Sequence, residues 1–149
     1  MSSPKVLQVT LFFYLGLNFV LRGVQEQYDL VPAQFVRVPP DPEQYDASVY
    51  YEYIEFISKN NQHRFKGINS TNKCVRAFAQ PGSNRFIVKL LDTYLPLLPP
   101  NASNLYMRPL EEFPSANKPG FTKQKVGIKK LFLICQRNLV VVYIIQITS

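Results

Sequence analysis

The sequence predicts an α+β fold in which helices pack on a small antiparallel sheet. Val6 to Leu21 is an apolar stretch of helical length, and apolar residues recur at helical spacing from Phe86 to Leu98. Between these stretches, Tyr50–Ser58 is rich in aromatic and β-branched residues and Lys73–Ala79 can pair with it as a second strand. A chain of 149 residues has the length of one domain with a single core.

The N-terminal part predicts two helices and a strand. Val6 to Leu21 is shorter than the roughly 20 residues that cross a bilayer as a helix, so it is a buried helix or a signal peptide. No small-x-small cleavage site follows it, which favours the buried helix. Val24–Leu30 predicts a short second helix that Pro32 ends, and Phe35–Val38 predicts a short strand.

The middle of the chain predicts a strand pair followed by a helix. Tyr50–Ser58 and Lys73–Ala79 are expected to pair in antiparallel fashion, with Lys59–Asn72 as a long basic connection. Ser83 or Asn84 can cap a helix that runs to about Leu98, where two prolines stop it.

The remainder of the chain gives weaker signals. Asn104–Met107 predicts a short extended piece, and Pro109–Gly120 predicts a loop. Leu131–Ile147 consists of two apolar runs, of which Leu139–Ile145 would be a fully buried strand or an aggregation hazard. We therefore expect a domain over residues 6–122 and a basic, then apolar, tail of unknown structure over residues 123–149.

The charge changes sign along the chain. Seventeen basic and ten acidic residues give a formal net charge of +7. Residues 41–57 hold five acids and no base, whereas Ser58 to Leu91 holds seven bases and no acid. A second acid-free run follows Glu112. Either a polyanion binds the second half of the chain through these cations, or they are ordinary solvated surface charges.

Several classes of site are excluded by residue content. Two cysteines, Cys74 and Cys135, are too few for a disulfide framework, and with His63 they cannot supply four zinc ligands. The sequence contains no GxGxxG, GxxxxGK[ST], GxSxG, HExxH or CxxC motif. Neighbouring acids such as Glu111–Glu112 are typical of solvated loops. We therefore expect no metal site and no cofactor.

Three segments carry a family resemblance: Phe12–Leu30, Tyr51–Gly67 and Asn69–Leu110. Together they resemble the C-terminal domain of the zinc finger MYM-type and glutamine-rich proteins, which descends from the tyrosine recombinase of Crypton transposons. The third segment is the most specific, because its asparagine-lysine opening, its PLLPP helix end and its YMRPL close occur in that order and spacing. The similarity covers roughly Val6 to Thr122 and implies a partial, integrase-like catalytic domain of the α+β class.

The resemblance implies matches for two phosphate-site residues. In tyrosine recombinases a tyrosine attacks a DNA phosphate, two arginines and a histidine clamp its oxygens, and a β-hairpin lysine protonates the leaving hydroxyl. Leu21-Arg22-Gly23 followed by Glu26 resembles the first-arginine box, so Arg22 matches that arginine. Lys59 matches the lysine. The structural alternatives are a helix-terminal arginine and a solvated hairpin lysine.

The sequence departs from the recombinase pattern beyond Thr122. A recombinase has an HxxR box there, then a second histidine or tryptophan, then the nucleophilic tyrosine, whereas His63 is the only histidine of this sequence. Tyr143 lies in the apolar context VVVYII, which is unlike that of an exposed nucleophile. The expectation is therefore a protein that is not an enzyme, with Arg22 and Lys59 as vestigial matches.

The function expected from sequence is that of a catalytically inactive, Crypton-derived domain in the nucleus, which binds DNA non-specifically or binds chromatin proteins. The residues expected to contact nucleic acid are Lys59, Arg64, Lys66, Lys73 and Arg76. One alternative is residual DNA strand transfer, as in a recombinase or integrase. A second alternative is a membrane-associated or secreted protein that uses Val6–Leu21 and Leu131–Ile147 as anchors.

Overall fold

The computed structural model describes residues 3–19, 21, 23–43, 49–55, 74–78, 87–134 and 136–137. The predicted α+β class is confirmed. The helices are α1 (Pro4–Asn18), α2 (Gly23–Tyr28), α3 (Ile87–Tyr94) and α4 (128–134), with 3-10 turns at Pro32–Gln34 and Leu95–Leu97. The strands are β1 (Phe35–Val38), β2 (Tyr50–Ile54), β3 (Cys74–Phe78), β4 (Met107–Pro109) and β5 (Phe121–Lys125).

The chain divides into two compact units. Unit 1 comprises Met1–Pro32 and Lys89–Ser149, and unit 2 comprises Ala33–Val88. The predicted division into residues 6–122 and a tail of residues 123–149 stays a prediction.

Helix α1 supplies much of the core of unit 1. The Ser3 hydroxyl caps it by accepting a hydrogen bond from the Val6 amide at 3.3 Å, and Pro4 occupies the first turn, where its missing N–H costs nothing. One face of the helix is fully buried through Leu7, Leu11 and Leu15. The predicted buried helix is therefore confirmed, with bounds two to three residues nearer the N-terminus. Of the helices among the described residues, none is both long and apolar enough to cross a membrane.

A buried polar network joins α1 to the rest of unit 1. The Gln8 side-chain amide donates to the Met107 carbonyl at 2.7 Å and to the Tyr94 hydroxyl at 3.2 Å. The Tyr94 hydroxyl in turn donates to the Leu105 carbonyl at 2.7 Å. Gln8 looks like an interruption of an apolar run in the sequence, but it satisfies backbone and side-chain groups that would otherwise be buried without partners.

A second buried pair fixes α2. Gln27 donates to the Phe12 carbonyl at 2.9 Å and accepts a hydrogen bond from the Tyr106 hydroxyl. The Tyr106 ring also lies 5.6 Å from the ring of Phe12, between centroids. Burial raises the pKa of the Tyr94 and Tyr106 phenols well above the usual value. Both hydroxyls therefore remain protonated donors at neutral pH.

Helix α3 from Lys89 onward and the β4–β5 ribbon complete unit 1. Helix α3 ends at Tyr94, earlier than the predicted end at about Leu98, because the chain tightens there into a 3-10 turn at Leu95–Leu97, where Pro96 cannot donate an N–H. The predicted caps Ser83 and Asn84 lie outside the described residues. Phe121 of β5 packs against the ring of Tyr94, with 4.8 Å between centroids.

Strand β4 differs from the predicted extended piece at Asn104–Met107. Residues 104–106 form bends, and the strand itself begins at Met107 because the register pairs Met107 with Lys125 and Pro109 with Phe121. Strand β5 and helix α4 were not predicted. The predicted strand Leu139–Ile145 lies outside the described residues.

Unit 2 is built on a three-stranded antiparallel sheet of order β1-β2-β3. The predicted strand at Phe35–Val38 and the predicted antiparallel pair are confirmed. Strand β2 is shorter than predicted, since it ends at Ile54 and Glu55 is no longer in the strand. Tyr51, Tyr53 and Ala77 are buried, and the Tyr53 ring lies 5.5 Å from that of Phe35. Alternation along the strands places Glu52 of β2 and Arg76 of β3 on the other face.

Candidate nucleic-acid interface

The structure describes one of the residues expected to contact nucleic acid, namely Arg76 of β3. The other four, Lys59, Arg64, Lys66 and Lys73, lie outside the described residues. Arg22, which the sequence predicts as a phosphate-site match together with Lys59, also lies outside them. His63 and Tyr143 also lie outside them. Within the described residues, the candidate site therefore consists of the β2–β3 pair that carries Arg76.

The register of β2 and β3 determines which charges meet. Glu52 pairs with Arg76, and Ile54 pairs with Cys74. In each pair, one residue precedes residue 64 by as many positions as the other follows it. The chain thus leaves β2 and enters β3 at the same end of the sheet. This is the arrangement of a β-hairpin with a long connection.

Arg76 lies between an aromatic ring and a carboxylate. Its guanidinium carbon is 5.3 Å from the centroid of the Tyr50 ring, and its Nε is 3.5 Å from Oε2 of Glu52. The Arg76 side chain is 56% exposed and that of Glu52 is 24% exposed. The guanidinium is consequently accessible to a ligand, but its charge faces an internal carboxylate.

Glu52 contacts a second residue of β3. The Cys74 thiol donates a hydrogen bond to Oε1 of Glu52 at 2.9 Å. That hydrogen bond, together with desolvation and the Glu52 charge, raises the pKa of the Cys74 thiol, and Arg76 offsets part of the effect. Although Cys74 is exposed, its thiol is therefore a poor nucleophile at neutral pH.

Sequence reasoning missed the role of Glu52. Residues 41–57 and Ser58–Leu91 appear in the sequence as successive acidic and basic segments, whereas antiparallel pairing places Glu52 of the first opposite Arg76 of the second. The signal that could have found this contact is the strand register, which depends on how the connection between the strands closes. Arg76 is accordingly a partly neutralised cation, and a phosphate that binds it must compete with Glu52.

The described residues offer little else for chemistry at this face. No group of three or more His, Cys, Asp or Glu side chains that could hold a metal ion occurs among them. What the arrangement provides is an exposed guanidinium positioned by an aromatic ring, which suits contact with a phosphate oxygen.

Comparison with known proteins assigns the chain to a family. A family model described as Domain of unknown function (DUF3504) matches residues 1–140. No curated protein and no solved structure shows significant similarity to the chain. Since the matched residues make up nearly the whole sequence, the chain belongs to the DUF3504 family of domains of unknown function.

Proposed function

We propose that this chain is a catalytically inactive domain, derived from the Crypton tyrosine recombinase and related to the C-terminal domain of the zinc finger MYM-type and glutamine-rich proteins, that binds duplex DNA non-specifically in the nucleus. The observation that supports it most is the β2–β3 pair. Its register is centred on residue 64, and the connecting residues carry Lys59, Arg64, Lys66 and Lys73, with Glu55 at their start and no acid from Ser58 onward.

The chemistry of such binding is electrostatic. Each lysine or arginine that contacts a phosphate releases condensed counterions, so affinity does not depend on base sequence and falls steeply with salt. Arg76 adds an exposed guanidinium on β3, just after that connection, and its guanidinium carbon lies 5.3 Å from the centroid of the Tyr50 ring. Strand transfer is not part of the proposal, because His63 is the only histidine available for a phosphate clamp.

The test is a fluorescence-anisotropy titration of labelled duplex DNA. The variant Lys59→Ala/Arg64→Ala/Lys66→Ala should bind at least about tenfold more weakly at 50 mM salt, and the slope of log affinity against log salt should fall by about 2 to 3. The control variant Lys5→Ala/Lys89→Ala/Lys118→Ala removes the same number of charges from exposed positions on α1, α3 and the β4–β5 loop.

Two results would contradict the proposal. One is no binding of the unaltered chain to DNA at low salt. The other is an equal loss in the hairpin variant and in the control variant, since net charge alone would then explain the affinity. Either result would leave binding to a chromatin protein as the remaining interpretation of the basic segment.

A further inference from the structure

A second group of cations lies in unit 1, on β4, β5 and α4. It is named the β5 surface and comprises Arg108, Lys123, Lys125, Lys129 and Lys130. We propose that the β5 surface binds the phosphate backbone of duplex DNA. This contact is separate from the β2–β3 connection and does not rest on it.

The β5 surface is fixed to the core of its unit. Strands β4 and β5 pair in antiparallel fashion, and the pairing continues past the end of β5, where the Val126 amide donates to the Tyr106 carbonyl at 3.0 Å. Val126 is 4% exposed, and Leu131 anchors α4 with 1% exposure. The lysines of β5 and α4 are therefore carried by backbone whose position is set by buried neighbours.

Two of the cations have neutral partners. Arg108 donates from Nη1 to Oε1 of Gln124 at 2.9 Å. The Lys125 ammonium lies 3.4 Å from the centroid of the Tyr28 ring on α2. These contacts orient the head groups and leave their charge uncompensated, in contrast to the Glu52 carboxylate that faces Arg76.

The other three cations are exposed lysines: Lys123, Lys129 and Lys130. Within the part of the chain that the structure describes, none of them lies within ion-pair distance of a carboxylate. The sequence agrees, because no acid follows Glu112. A run of cations without internal counterions has a high potential for binding an external polyanion.

The spacing of these charges favours DNA over an acidic protein. Lys123 and Lys125 lie two residues apart in β5, in a stretch where the register against β4 shifts between the Met107–Lys125 and Pro109–Phe121 pairs, so their charges are irregularly placed. Duplex DNA carries one charge for about every 1.7 Å of its axis, so phosphates are available to cations in almost any register. An acidic protein would need carboxylates at matching positions. The β5 surface therefore suits a ligand with dense, regular negative charge.

The test uses the full chain and compares two variants of equal charge. Lys123→Ala/Lys129→Ala/Lys130→Ala should weaken binding to a labelled 20-base-pair duplex at least about tenfold at 50 mM salt, and should reduce the salt slope by about 2 to 3, at roughly 0.9 per lost phosphate contact. The control variant Lys5→Ala/Lys89→Ala/Lys118→Ala should lose less than half as much. Because all the altered residues are exposed, circular dichroism and melting curves should match those of the unaltered chain.

Two outcomes would overturn the proposal. Equal losses in the two variants would attribute the affinity to net charge. Competition by poly-L-glutamate as effective as that by unlabelled duplex, at equal charge concentration, would assign the surface to acidic proteins. To separate the two DNA contacts, the β5 substitutions are repeated in the Lys59→Ala/Arg64→Ala/Lys66→Ala background. The β5 substitutions should weaken DNA binding in that background as well, including in the case that the hairpin substitutions alone leave the DNA affinity unchanged.

Discussion

Replacing Glu52 by glutamine tests both the geometry of the β2–β3 face and its proposed role. Glu52 is the residue of β2 that contacts both Arg76 and Cys74 of β3. Glutamine keeps the size and a carbonyl oxygen but removes the charge. The substitution should therefore leave the sheet intact while it frees the Arg76 guanidinium and lowers the pKa of the Cys74 thiol.

The size of each effect follows from exposure and charge. Arg76 and Glu52 are 56% and 24% exposed, and ion pairs of this kind contribute about 0.2–1 kcal/mol, so the change in stability should be small. A freed guanidinium that contacts one phosphate adds about 0.9 to the salt slope. The salt concentration differs fourfold between 50 mM and 200 mM, and four raised to the power of about 0.9 is about 3.5. The ratio of the DNA affinities at these two salt concentrations should therefore be about 3.5-fold larger in Glu52→Gln than in the unaltered chain.

Two assays measure the outcome independently. Alkylation of Cys74, followed by peptide-resolved mass spectrometry so that Cys135 is measured separately, should be faster at pH 7.5 in Glu52→Gln than in the unaltered chain. Anisotropy titrations at both salt concentrations give the DNA affinities. The matched control is Glu111→Gln, which removes one exposed negative charge from the β4–β5 loop.

Each assay can refute a different step of the reasoning. An unchanged alkylation rate would mean that Glu52 does not hold the Cys74 thiol, and the cross-strand contact would be wrong. An equal rise in DNA affinity for Glu52→Gln and Glu111→Gln would reduce the effect to net charge. No rise for Glu52→Gln would mean that Arg76 does not contact DNA.

Three further predictions concern the core and the absence of catalysis. Tyr94→Phe deprives the buried Leu105 carbonyl of its donor, and it should lower the free energy of unfolding by about 1–3 kcal/mol in urea titrations; no change would contradict the network. Since burial raises the pKa of the Tyr94 and Tyr106 phenols, they remain protonated in the fold while the unfolded chain ionises above about pH 10. Their contribution to stability should be complete below that pH and lost as pH rises above it, with a weaker decline in Tyr94→Phe measured by denaturation from pH 8 to 11.5. A suicide DNA substrate should form no covalent complex with the chain, as judged by denaturing electrophoresis, and a retained DNA adduct would reopen the strand-transfer alternative.

The elements predicted correctly are those with strong local signals. Helix α1 has a long apolar stretch, and β1 and β2 combine β-branched or aromatic residues with flanking turn residues. Strand β5 was missed because its sequence, FTKQK, has a single large apolar residue, Phe121. Its strand conformation comes from pairing with β4 and from the packing of Phe121 on Tyr94, which are tertiary contacts.

The sequence predicts which basic residues belong to the candidate site, but it does not predict which side chains contact one another. Basic residues after Ser58 can be counted along the sequence, and the strand that carries Arg76 follows from its residue pattern. The contact between Arg76 and Glu52 depends on register, and a one-residue slip would have moved Glu52 to the opposite face. Gln8 was likewise visible as a polar residue, but its partners are 86 and 99 residues away in the sequence.

The two basic runs differ in whether a carboxylate of the fold faces their cations. This difference determines how strongly each cation should make DNA affinity depend on salt. In unit 2 the fold places the acidic strand β2 beside the basic strand β3, so part of the positive charge is compensated internally. In unit 1 Lys125 lies against the Tyr28 ring and Arg108 against the Gln124 amide, neither of which carries a negative charge. A phosphate therefore displaces a carboxylate from Arg76 but only water and counterions from Lys123, Lys129 and Lys130. On this reasoning each cation of the β5 surface contributes more to the salt slope than Arg76 does, although both runs look alike when charges are counted along the sequence.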